Sequence, residues 1–61
     1  MYHVRVRVFG EKVFIENGLT FDTIEDAKTY GRDLAERWTI VEEWDVRDSA
    51  GKLFYWTEVI R

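Results

Sequence analysis

The 61-residue chain predicts an α+β domain of order β-β-α-β-β, a four-stranded antiparallel sheet with one helix packed on one face. Three observations carry that expectation. The stretch "YHVRVRVF" alternates strictly between apolar and polar groups, the period-two signature of a half-buried strand. Ile24, Ala27, Gly31, Leu34 and Trp38 recur at steps of three and four and draw one apolar stripe along a helix. Two further apolar-rich runs, "TIVEEWDVR" and "KLFYWTEVIR", flank "DSAG", which has Asp first and Gly last as a type I turn prefers.

The first strand is expected over about residues 2–9. Gly10-Glu11-Lys12 is a short turn, and "VFIE" reads as a returning strand over 13–16 that closes an antiparallel hairpin. Asn17-Gly18 is a tight-turn dipeptide, because both residues tolerate positive φ. A helix then spans about 24–37. Asp22 or Thr23 can accept a hydrogen bond from an orphan amide of its first turn, and Glu25 and Asp26 suit the positive end of its dipole. Gly31 lies in the apolar stripe at a helix-propensity cost of about 1 kcal/mol, which predicts close packing of helix backbone on the sheet. Strands over about 39–47 and 52–60 complete a single domain of residues 1–61.

A chain of this length buries only about 60% of the surface its unfolded form exposes, so its stability margin is small. Disulfides, metals or association usually widen that margin. The sequence has no Cys, and a lone His3 cannot build an imidazole metal site, so no metal or cofactor is expected and association remains. A hydrophobic share of 46% with 34% charged residues belongs to a folded protein. No apolar run approaches the ~20 residues that cross a bilayer, and the alternating N-terminus does not read as a signal peptide. The expected setting is cytoplasmic, without a membrane partner.

The expected pairings divide the side chains into two sheet faces. A four-residue turn at 48–51 sets Val46 opposite Leu53 and Trp44 opposite Tyr55, and a three-residue turn in the first hairpin sets Phe9 opposite Val13 and Val8 opposite Phe14, placing Phe14 with Val4, Val6 and Val8 under the helix. The other face then shows Phe9, Val13, Ile15, Val41, Phe54, Trp56 and Ile60 among Arg5, Arg7, Glu43 and Asp45. A contiguous apolar patch of that kind marks an interaction surface. Its partner is expected to be a second copy in a homodimer, with Arg5 or Arg7 of one subunit meeting Glu43 or Asp45 of the other, or an unidentified protein. The edge of the last strand, pairing with its twin, is a second route to a dimer.

No enzyme is expected. His3 has no Ser or Cys nucleophile motif to serve, and Glu43 with Asp45 reads as ion-paired charge opposite Arg5 and Arg7. Single-stranded nucleic acid is the alternative ligand, since Arg5, Arg7, Phe54 and Trp56 resemble a surface that stacks bases and holds phosphates. The net charge of −3 and the acidic neighbours oppose it.

The segments "MYHVRV", "LTFDTIEDAKTYGRDLAERW" and "VRDSAGKLFYW" follow one order: strand, turn, an "F-x-T-x-E-D-A" helix start, a helix closing in Trp, a strand and a "D-x-x-G" hairpin. That pattern resembles small phage-encoded and bacterial accessory proteins. The resemblance implies a phage protein that binds and inhibits or sequesters a host protein, often one of a defence complex, in the host cytoplasm. It implies no site residues.

Overall fold

The computed structural model describes residues 1–60. It has the order β1 (Tyr2–Val8), α1 (Ile24–Arg37), β2 (Val41–Asp48) and β3 (Leu53–Glu58). The strands form one antiparallel sheet in the order β1-β2-β3, so the fold is α+β with three strands rather than the four expected. The missing strand is the one expected at 13–16. There only Ile15 pairs, exchanging both backbone hydrogen bonds with Val6 at 2.8 and 2.9 Å. The chain then leaves the sheet at Asn17-Gly18, where Asn17 Oδ1 accepts from the Leu19 amide and Gly18 takes φ 82°. It returns for a second isolated pair, Phe21 with Tyr2. Five residues arch over the three between Tyr2 and Val6, too much slack for a continuous ladder.

Thr23 is the N-cap of α1, its hydroxyl accepting from the Asp26 amide at 3.1 Å, with Glu25 and Asp26 in the first turn. The helix buries Ala27, Gly31 and Ala35 against Val4, Val6, Val41, Trp44 and Val46. It packs on β1 and β2. Gly31 sits directly on Trp44: a Cβ at this position would overlap the indole atoms Cε3 and Cζ3. Its lack of a side chain is what lets the helix approach so closely.

Two β-bulges change which side chains share a face. Between β1 and β2, Arg7 pairs with Glu43 and Val8 with Val41, leaving Glu42 as an extra residue. That insertion returns Val41 to the helix side, where it is fully buried, instead of the open face where uninterrupted alternation places it. Between β2 and β3, Val46 pairs with Tyr55 and Arg47 with Leu53, leaving Phe54 extra. Leu53 therefore lies beside Arg47 on the open face, whereas Phe54 meets the edge of Tyr2 at 5.4 Å between ring centroids. The expected placements of Leu53 and Phe54 are thus reversed. A one-residue slip does the same to the first hairpin, because Ile15 rather than Phe14 shares Val6's face. Phe14 lies on the open side, its ring 4.5 Å below the Arg5 guanidinium. Tyr55 keeps its expected helix-side face but stands opposite Val46 rather than Trp44, which pairs with Thr57; its ring still lies 5.2 Å from that of Trp44 between centroids.

Candidate functional site

The sheet face away from α1 carries a lattice of charges rather than a continuous apolar patch. Arg5 stands opposite Asp45 in the ladder and grips it through both ends: Nε donates to Oδ1 at 3.0 Å and Nη2 to Oδ2 at 2.7 Å. Arg47, two residues along β2, adds a third bond to Oδ2 at 3.2 Å and donates to the Gly51 carbonyl at 2.8 Å. Asp45 is only 1% exposed, so its charge is held by these two guanidiniums rather than by water.

The other end of the face is built by the Glu42 bulge. An inserted residue lets two successive side chains reach the same partner, and Arg7 takes both, donating from Nε to Glu43 Oε2 at 2.6 Å and from Nη2 to Glu42 Oε2 at 2.8 Å. The Trp56 indole N–H donates to the remaining Glu43 oxygen at 2.6 Å. The Trp56 hydrogen bond first and the Arg7 guanidinium second hold the Glu43 carboxyl below its ordinary value. A group with a depressed folded-state value stabilises the fold above the unfolded-chain value, and that contribution disappears as the pH falls through the folded-state value. Urea unfolding should therefore show a smaller loss of stability between pH 7 and pH 3 for Glu43→Gln than for the wild type. An identical loss in both would remove Glu43 from the acid response.

Of the predicted surface residues, Arg5, Arg7, Glu43 and Trp56 are brought together here. Val41 is in the core, and Phe54 turns to Tyr2. Phe9, Val13 and Ile60 are exposed without converging on that network. Ile15 lines a cleft on the helix side instead. That cleft, about 230 Å³, lies between α1 and the 15–17 segment and is walled by Val4, Val6, Ile15, Tyr30, Leu34 and Trp38, with Glu16 and Asn17 at its margin. Its rim is braced by Asn17 Nδ2 donating to the Tyr30 hydroxyl. Trp38 closes the helix as its C-cap, and its amide bonds the Leu34 carbonyl at 2.8 Å. The helical stripe announced Leu34 and Trp38, but not the cleft, because its other wall depends on the register of Ile15.

His3 has Nδ1 beside Glu16 Oε2 at 3.7 Å, too long for a hydrogen bond. Among the described residues no group of three or more His, Cys, Asp or Glu side chains is placed to hold a metal ion. Among them, too, no helix is long and apolar enough to cross a membrane. No protein-family model, no curated protein and no solved structure matches the chain.

Proposed function

We propose that the protein is a non-enzymatic protein-binding module, homodimeric in its working form, that acts by occluding or sequestering a partner protein. The observation that carries this is the helix-side cleft: an open, apolar-walled recess with Ile15 and Trp38 each more than a third exposed at its mouth. Its volume suits one or two large apolar side chains of another protein, and aromatic anchors in such recesses supply most of an interface's energy. The resemblance to phage-encoded and bacterial accessory proteins supports a host protein, of the defence class, as that partner. Single-stranded nucleic acid ranks behind, because Arg5 and Arg7 already commit donors to Asp45, Glu42 and Glu43.

The test is a paired capture from lysate of the native host with wild-type protein and Ile15→Glu, which places a charge at the cleft mouth. Circular dichroism must show the same fold for both. A protein retained by the wild type and lost by Ile15→Glu supports the module; equal retention, or none by either, contradicts it.

A further inference from the structure

The charged sheet face is polarised along its strands. At one end, Arg47 presents a partly exposed guanidinium that donates to the buried carboxylate of Asp45. Glu16 belongs to this end too, at its margin beside His3. At the other end, one guanidinium, Arg7, is surrounded by Glu42 and Glu43, and Glu58 stands directly opposite Glu43 in the β2–β3 ladder. Like charges facing across a ladder are unfavourable, and the Glu43–Glu58 pair is one. Between the two ends runs the row Arg5, Asp45 and Trp56, one residue from each strand. Trp56 is 47% exposed, with its N–H already tied to Glu43.

We propose that this face is the homodimer interface, two copies stacking sheet on sheet about a two-fold axis that crosses the strands at the Arg5–Asp45–Trp56 row. This rests on the homodimeric reading above and gives it a surface. A half-turn about that axis reverses the strand direction, so the Arg47 end of one copy lies on the Glu42, Glu43 and Glu58 end of the other. The charge asymmetry of one face is thereby its own complement. Trp56 lies near the axis in both copies, where two rings with satisfied N–H groups bury apolar surface against each other. Burial strands neither central carboxylate, because both oxygens of Asp45 and of Glu43 already accept hydrogen bonds within the subunit. The helix-side cleft stays open on the outside of the pair.

Sedimentation velocity on the wild type, Glu58→Lys and Arg47→Gln/Glu58→Lys tests this. Glu58→Lys removes the Glu43–Glu58 opposition within the subunit, so at concentrations where both proteins are monomeric it should leave the melting temperature unchanged or higher. It should nevertheless weaken the dimer about tenfold or more, because the introduced ammonium of each copy is set against the Arg47 end of the other. Removing the second charge in Arg47→Gln/Glu58→Lys, whose amide can still donate to Asp45, should recover part of that loss. A wild-type dimer indifferent to Glu58→Lys overturns this interface while leaving the homodimer standing. A wild type that stays monomeric at about 100 μM, well above the micromolar range of ordinary self-association, overturns both.

Discussion

Gly31→Ala should destabilise the protein by about 2 kcal/mol, although alanine is the better helix former by about 1 kcal/mol. The new methyl would occupy space held by the Trp44 ring, which is 2% exposed. Overpacking a closed core costs about 1–3 kcal/mol, and overlap with two atoms of a rigid ring belongs at the upper end or beyond. For a domain of this size the loss lowers the melting temperature by on the order of 10 °C. It is a large part of a total stability of about 3–9 kcal/mol. Trimming the obstruction reverses the sign: in a Trp44→Leu background, itself about 3 kcal/mol or more weaker, Gly31→Ala should be neutral or stabilising. Urea unfolding of the four proteins measures the coupling. If Gly31→Ala raises stability in the wild-type background, the helix does not sit on Trp44 as described.

Asp45→Ala should cost about 2–4 kcal/mol. Removing one partner from a buried pair is worth about 3–5 kcal/mol when the stranded charge is fully enclosed. Here Arg5 and Arg47 keep about a third of their side chains in water, which lowers the figure. The loss has two sources. Asp45 is the common acceptor of both guanidiniums, and without it two like charges face each other across adjacent strands. Arg5 also loses the anchor that keeps its plane over Phe14. Asp45→Asn retains the shape and one acceptor oxygen, so it should fall between wild type and alanine. Equal unfolding midpoints for wild type and Asp45→Ala would show that the network contributes nothing.

The helix was legible because each of its signals is local: the Thr23 cap, the acidic first turn and the spacing of Ile24, Ala27, Gly31 and Leu34 need no knowledge of the rest of the chain. Even the cost of Gly31 pointed correctly to a close approach. The faces of the sheet were not legible in the same way, because alternation propagates any single error to every residue beyond it. One bulge at Glu42 moves Val41 from the charged face into the core, and one at Phe54 exchanges Leu53 with Phe54. Both bulges fall where strict alternation gives an awkward result. In "VEEWDV" it sets Val41 among carboxylates, and in "LFYW" it gives bulky groups to both faces of one strand. A break in alternation flanked by residues that want opposite sides is the signal for a bulge, and it was present at both places. The 13–16 strand failed for another reason. Its apolar run is strand-like, but Asn17-Gly18 turns the chain away after one pair with β1.

Under the proposed function and the proposed interface, the charged sheet face would join copies and the helix-side cleft would meet another protein. The indole N–H signals of Trp56 and Trp38 report on these two sides separately, and Trp44 in the core serves as an internal control. Two-dimensional NMR of the wild type across a dilution series from millimolar to low micromolar concentration is the most direct test. The Trp56 signal should move with concentration while those of Trp38 and Trp44 hold still. Movement of Trp38 with Trp56 unchanged would contradict the assignment, because self-association would then run through the cleft.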